Sequence, residues 1–217
     1  MNSLQILLEY QEAFRSGLLV TVQLCVLIWF FGILLGSLLG VLGGIYYNSF
    51  GFLIQVCNFF LSSIPILVLL FWFHYPFQSL LSVNINPFFT TIFVLGLINS
   101  LSVAEIVLIA IKDFPKSYSE VATVSGLSRF QIIRFVQIPL VVRNVIPSIL
   151  SVQVYILQAT LFASLISVDE VFRVAQRINS QIYRPVEIYS ALAVLFVLIC
   201  VPMNGLSIML RQKFKNY

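Results

Sequence analysis

The chain has 217 residues, of which 60% are hydrophobic and only 9% charged, against roughly 25% charged in ordinary soluble domains. With a mean hydropathy of +1.02, it has too little polar surface to cover a water-soluble globule, which excludes a soluble enzyme and makes lipid the solvent. The net charge of +4 comes without any basic run interleaved with exposed aromatics, so it bears on membrane topology and not on nucleic acid.

A membrane helix needs about 20 apolar residues. That window predicts an all-α integral membrane protein, a single domain over 1–217, with five transmembrane helices near 17–47, 52–73, 87–111, 139–167 and 186–210. One long polar passage, 112–138, interrupts them. The charges are sorted accordingly: between Arg15 and Lys112 the only ionised residue is Glu105. The N-terminus carries Glu9 and Glu12 and lacks a basic region, so no cleaved signal peptide is expected.

The first span holds Gly32, Gly36, Gly40 and Gly44, four residues apart and so on nearly one helix face. Such a row lets backbones approach closely. It serves either a seam with another subunit or packing within this one; Gly17 and Gly43 lie off the row. After it, 48–51 reads as a short uncharged loop. Pro65 falls inside the second span and should kink or break it near Ser62. A broken helix at membrane depth often marks a substrate route, although prolines also kink inert membrane helices. His74, the only histidine, sits at the end of this span as an interfacial residue. The third span contains Glu105, about 10 Å of helix before Lys112. Intramembrane carboxylates are costly, so Glu105 is either an internal anchor, with Arg143 as a possible partner, or a charge lining a pore. Cys25, Cys57 and Cys200 are scattered through the spans, which supports neither a disulfide framework nor a metal site.

In the polar passage, Ser117 precedes Glu120 by three residues, the spacing of a capping box, and Ser128 and Gln131 repeat it. Gly126 stands between them, where a left-handed residue would close a helix. Pro139 suits the first turn of another helix. The prediction is a helix of about eight residues, a sharp turn, a second short helix, then the fourth span. A helix that short is marginal alone, so it should dock against something.

Glu120-Val121-Ala122, three residues, Gly126, nine residues, then Val136-Gln137-Ile138-Pro139 resembles the EAA loop of ABC importer permeases, E-A-A-x3-G-x9-I-x-L-P. Pro115-Lys116, Gly126-Leu127-Ser128-Arg129, Ala175-Gln176-Arg177-Ile178 and Arg184-Pro185-x-Glu187-x-Tyr189 are similar to the polar amino-acid branch, the histidine, glutamine and arginine permeases. The resemblance covers nearly the whole chain. It implies the type I importer fold and a permease subunit of an ATP-driven importer in the bacterial cytoplasmic (inner) membrane, translocating a polar amino acid. Ser117, Glu120, Val121, Ala122, Gly126, Ile138 and Pro139 would then form the coupling segment that docks on the ATPase. Partners would be a pair of ABC ATPase subunits holding ATP and Mg, a second permease subunit (a copy or a paralogue) and an extracytoplasmic solute-binding protein.

The same family carries Ala-Glu-Ile where this chain has Ala104-Glu105-Ile106. It reads Arg-Gly-Thr-Pro at 62–65, of which only Pro65 is kept. Where it usually has Lys-Asp/Glu-Thr-Ser, this chain has Gln158-Ala159-Thr160-Leu161, so both charges are gone. Ser62, Pro65, Gln158 and Thr160 are the candidate path residues. Either this subunit is the non-binding half of a heterodimer, or it passes a solute recognised by neutral hydrogen bonds. Residues 169–179 read as an amphipathic helix outside the membrane, placed either at an outer gate or flat on lipid.

Five spans put 112–138 and the C-terminus on one side. That side holds Lys112, Lys116, Arg129, Arg134, Arg143, Arg211, Lys213 and Lys215, and the other side Arg15, Arg173, Arg177 and Arg184. The bias places the polar loop in the cytoplasm and the N-terminus outside. No catalytic set and no phosphate-cradling G-x-x-x-x-G-K-[ST] is present, so any ATP would be hydrolysed by another polypeptide. A self-sufficient secondary transporter or channel and a non-transporting membrane scaffold are the competing readings.

Overall fold

The computed structural model describes residue 6 and residues 8–215, Lys215 by its backbone alone. Residues 1–5, 7, 216 and 217 of the expected domain lie outside the described residues, as does the side-chain charge of Lys215. The described residues form helices and connecting turns, with no strand. Helix α1 is Gln11–Ile45, α2 Phe52–Ser63, α3 Ile66–His74, α4 Pro76–Leu80 and α5 Pro87–Lys112. Outside the spans come α6, Lys116–Val124, and α7, Arg129–Ile132. Then follow α8, Ile138–Ala159, α9, Val171–Ile182, and α10, Pro185–Lys215.

The glycine row is the seam between α1 and α5. A Cβ added at Gly36 would lie 2.6 Å from the Ser100 carbonyl oxygen, and one at Gly40 would lie 2.6 Å from that of Ala104. Gly32 abuts Asn99 and Gly44 abuts Ile111. The row therefore packs within this chain. Gly43 is also tightly placed, against Ile54, Leu108 and Gly51, and Gly17 sits on Val171 and Val174 of α9. Residue numbers rise together along the seam, so α1 and α5 run parallel. Two parallel neighbours require the intervening chain to cross back.

Residues 46–86 make that return as a broken helix. The expected loop at 48–51 is a turn of π-helix, Tyr47–Gly51, which folds back so that Gly51 rests on Gly43. Ile64 and Pro65 then adopt extended backbone, with ψ of 128° and 133°. Pro65 has no N–H to donate and forces its predecessor out of the helical region. The two arms bend by 93°. Contacts with α5 are antiparallel throughout: Ile54 packs with Leu108, Asn58 meets Glu105, and His74 lies 3.3 Å from Thr90. From Leu108 back to Thr90 is about 27 Å of helix, close to the hydrocarbon thickness. The bent pair is thus long enough to count as one broken crossing, which with the four long apolar helices gives five candidate crossings among the described residues.

The fourth span differs from expectation at its start. Instead of a fresh helix at Pro139, one helical run extends from Arg129 to Ile166. A π-helical stretch at Ile133–Gln137 precedes Pro139, and its wider turn accommodates a residue without an N–H inside a continuous helix. The run ends in a tighter turn, Thr160–Ile166, stopped by Ser167 in the left-handed conformation at φ 76°. α8 lies antiparallel to α5 through Val103, Val107 and Val145, and to α10 through Val154, Leu157 and Cys200. α9 buries Val171, Val174, Ala175 and Ile178 against Phe14, Ile188 and Leu192. Its apolar face is thus covered by protein and not by lipid.

The close seam has a measurable consequence. Gly40→Val should lower the thermal unfolding midpoint in detergent, at a cost of roughly 1–3 kcal/mol from overpacking. Gly96→Ala adds a methyl with nothing within 4 Å and should be neutral or stabilising by up to about 1 kcal/mol. Equal midpoints for wild type and Gly40→Val would show that the two backbones do not approach this closely.

Candidate functional site

The polar loop folds into two capped helices. α6 begins two residues earlier than the spacing of Ser117 and Glu120 implies, with Pro115 at the N-cap and no side-chain cap bond. Ser117 is already helical, and a capping box needs its serine in extended backbone, so the expected box does not form. The end of α6 is closed firmly. Leu127 N–H reaches the Ala122 carbonyl at 3.1 Å and Gly126 N–H the Thr123 carbonyl at 3.0 Å, the paired bonds of a Schellman turn. Gly126 has φ +83°, a conformation costly for any residue with a Cβ. One residue on, Ser128 opens α7 with a capping box: its Oγ accepts from Gln131 N–H at 3.4 Å, and its own N–H donates to Gln131 Oε1 at 2.8 Å.

Two sides of α6 differ. Ala122 is buried and Ser119 half-buried, and Gln137 Nε2 donates to Ser119 Oγ at 3.2 Å, tying α6 to the π-helical stretch. An open cleft of about 390 Å³ between them is lined by Ser119, Thr123, Leu127, Arg129, Ile132, Ile133 and Gln137. The opposite side carries Tyr118, Val121 and Val124, the last two 66% and 90% exposed, with Glu120 exposed beside them. These three sit at i, i+3 and i+6 on one side of a helix outside the membrane spans, and leaving them uncovered in water is unfavourable. Ile138 and Pro139 are exposed where the helix enters its apolar part.

Within the spans the polar side chains pair with one another. Asn99 Nδ2 donates to Gln153 Oε1 at 3.0 Å and Gln153 Nε2 to Asn99 Oδ1 at 3.1 Å, while Asn99 Nδ2 also reaches the Ile28 carbonyl at 3.1 Å. This clamp joins three spans at depth, where small-residue seams and amide bonds hold membrane helices together. Glu105 accepts a hydrogen bond from Asn58 Nδ2. The suggested partner Arg143 points outward from α8 and is exposed, so that pairing is corrected. Thr160 is fully buried and its hydroxyl donates to the Leu157 carbonyl at 2.7 Å, so it lines no open surface of this chain. Ser62, Pro65 and Gln158 are exposed. His74, Gln78 and Thr90 form a hydrogen-bonded group that also holds Ile85 N–H.

At the far end, Glu170 caps α9, its carboxylate accepting from Phe172 N–H at 2.9 Å and Arg173 N–H at 2.8 Å. It is 0% exposed. Burial raises its pKa to about 7, against the opposing pull of the two backbone N–H groups and the Arg173 charge. Arg173 also donates to the Ser164 carbonyl at 2.7 Å and pairs with Asp169 at 3.2 Å. Sequence reasoning missed Asn58, Asn99, Glu170, Tyr118, Val124 and the Ser119–Gln137 bond. Only Asn58 and Asn99 had an advance signal, a polar residue standing in an apolar run.

Comparison with known proteins adds independent information. The family model described as "Binding-protein-dependent transport system inner membrane component" matches residues 32–216. The glutamine transport system permease protein GlnP of Escherichia coli (strain K12) is 27% identical over 152 residues, 70% of this chain and 69% of that protein. The histidine/lysine/arginine/ornithine transport system permease protein HisQ of the same organism is 24% identical over 210 residues, 92% of each. Among solved structures, a chain of an amino acid ABC transporter crystallised with histidines superposes with a TM-score of 0.84 at 23% identity, covering 98% of this chain and 99% of that one. The MetNI methionine ABC transporter in an inward-facing form gives 0.72 at 16% identity, covering 95% and 98%. At these identities the structural likeness speaks for the fold.

The buried carboxyl of Glu170 gives a pH prediction. Its folded-state pKa lies above the ordinary 4.5, so the fold prefers the neutral acid. This contribution is complete below about pH 4.5 and is lost as pH rises through about 7, a span worth roughly 3 kcal/mol. The unfolding midpoint in detergent should fall between pH 5 and 8, and Glu170→Gln should flatten that dependence. A wild-type midpoint rising with pH over this range would contradict the assignment.

Proposed function

We infer the function from one premise: the chain belongs to the family of binding-protein-dependent transport system inner membrane components. It is a multi-pass membrane permease subunit of an ABC importer, and its solute is a polar amino acid delivered by an extracytoplasmic binding protein. The relatives named for glutamine and for histidine, lysine, arginine and ornithine support that solute class. The chain itself is not the enzyme. ATP and Mg belong to a pair of cytoplasmic ABC ATPase subunits, and a second permease subunit, a copy or a paralogue, completes the path.

The observation that supports the coupling role is the uncovered row Tyr118, Val121 and Val124 on a helix closed at its C-terminal end and tied to the fourth span through Ser119 and Gln137. An apolar ridge on a nine-residue helix outside the membrane spans fits a groove on another protein, in the manner of helix-in-groove recognition. We place that helix in the cytoplasm and the N-terminus outside. Five crossings set α6 and the C-terminal end on one side, and the Lys and Arg residues favour that side eight to four.

Motion would travel as follows. Closure of the ATPase pair displaces α6. The Ser119–Gln137 bond and the Schellman turn pass the displacement to α7 and the π-helical stretch, which continue without a gap into α8. The amide clamp of Gln153 with Asn99 carries it to α5 and α1. The chain yields at the Ile64–Pro65 break, so opening is a rigid-body shift of packed helices about that point.

Two variants test this. Val121→Asp, at an exposed position, should insert normally yet weaken ATPase association about ten-fold or more, as loss of an apolar anchor does. Gly126→Val should abolish uptake through a strain of roughly 1–3 kcal/mol at positive φ, since no atom lies within 4 Å to clash. The readouts are co-purification with the ATPase and ATP hydrolysis stimulated by loaded binding protein. Full co-purification and stimulation in both variants would remove the coupling role from α6, whereas a wild-type chain that neither co-purifies with an ATPase nor stimulates it would favour a self-sufficient transporter or a scaffold.

A further inference from the structure

Glu105 is the one Asp, Glu, Lys or Arg between Arg15 and Lys112, and the structure gives it a neutral partner only. Asn58, itself buried, donates one N–H to Oε2. No ion pair among the described residues includes Glu105. Its helix is asymmetric at this level. Val103, Ala104, Val107 and Leu108 are buried, whereas Ser102 and Glu105 are half-buried and Ile109 is exposed. The carboxylate therefore stands at the border of an uncovered face, with one oxygen not engaged by Asn58.

That face is polar where the two helices meet. α2 runs antiparallel to α5, so Ser62, one turn beyond Asn58, comes level with Ser102, about one turn before Glu105. Ser62 and Ser63 are exposed, and the helix breaks immediately after them at Ile64 and Pro65. A carboxylate with a single neutral hydrogen bond would not be retained against lipid, because intramembrane charge is costly unless it faces water or an opposite charge. Two hydroxyls and a helix break on the same face make water the fitting neighbour, since irregular backbone at membrane depth occurs where it lines a cavity or is buried in protein.

We propose that Glu105, oriented by Asn58, is the negative element of a wet recess in the loop-side half of the translocation path, and that it takes the ammonium group of the solute. This rests on the transport reading above and adds to it a residue and a charge. Its chemistry selects molecules bearing a primary ammonium group, and with no other Asp, Glu, Lys or Arg between Arg15 and Lys112 the first three crossings leave the rest of the solute to hydroxyls and amides. Asn58 acts as a positioning residue.

The test uses the assembled transporter in proteoliposomes, with Cys25, Cys57 and Cys200 replaced by serine and Ser102→Cys as the reporter. Cationic trimethylammonium-ethyl methanethiosulfonate and anionic sulfonatoethyl methanethiosulfonate are compared, with Ser125→Cys in the loop as the exposed control. Relative to the control, Ser102→Cys should prefer the cationic reagent roughly ten-fold. Glu105→Gln, which keeps an acceptor for Asn58, should bring the preference to that of the control. Without altering Glu105, excess methylammonium should slow the labelling of Ser102→Cys and excess acetate should not. Failure of Ser102→Cys to react, or a preference unmoved by Glu105→Gln, would overturn the proposal. So would loss of subunit assembly in Glu105→Gln with the preference unchanged, which would assign the carboxylate to a cation on the neighbouring subunit. The labelling is read without ATP, so it stands or falls apart from coupling to the ATPase.

Discussion

The close parallel contact of α1 with α5 is the constraint on which the rest of the structure depends. Lipid offers no hydrophobic drive to pair helices, so association rests on backbone approach and on buried polar bonds. Glycines at four-residue spacing supply the approach, bringing α1 against the carbonyl oxygens of Ser100 and Ala104. Because the pair is parallel, the chain between must return across the membrane. A broken helix makes that return, held to α5 from Ile54 to His74. The number of crossings, and with it the side on which the polar loop lies relative to α9, follows from this one contact.

Polar groups at depth are placed with the same economy. Asn99 and Gln153 satisfy each other with two bonds, and Asn99 adds a third to the Ile28 carbonyl, so one amide pair locks three spans. Thr160, Ser100 and Ser164 return their hydroxyls to backbone carbonyls of their own helices. Glu105 stands apart, a carboxylate with one neutral donor at the edge of an uncovered face. Polar residues in the spans therefore divide between those that hold helices together and those that face outward beside the broken second crossing.

Outside the spans the loop is rigid because its turns are completed. The Schellman bonds at Gly126, the box of Ser128 with Gln131, and the Ser119–Gln137 bond leave α6 little freedom relative to the start of α8. A lever must be stiff where it is pushed and compliant elsewhere. The Ile64–Pro65 break interrupts the backbone bonding of the second crossing, so in the proposed coupling it is where the chain would yield when α6 is displaced.

The amino-acid sequence by itself determined what depends on local chemistry. Apolar runs set the membrane spans, Pro65 set the break, Gly126 set the left-handed turn, and Ser128 with Gln131 set a helix start. Each is decided within a few residues by backbone sterics or by solvent. Ser117 misled because Pro115 takes the N-cap of α6 two positions earlier, an effect of backbone geometry that spacing alone does not reveal. Only the tertiary structure decided which helices meet. It turned the glycine row into an internal seam, gave Glu105 to Asn58 and not to Arg143, drew Thr160 into the core, and carried the fourth span back to Arg129 through a π-helical stretch. Those outcomes join residues tens of positions apart, and their pairing is set by the packing of whole helices, which no local pattern encodes.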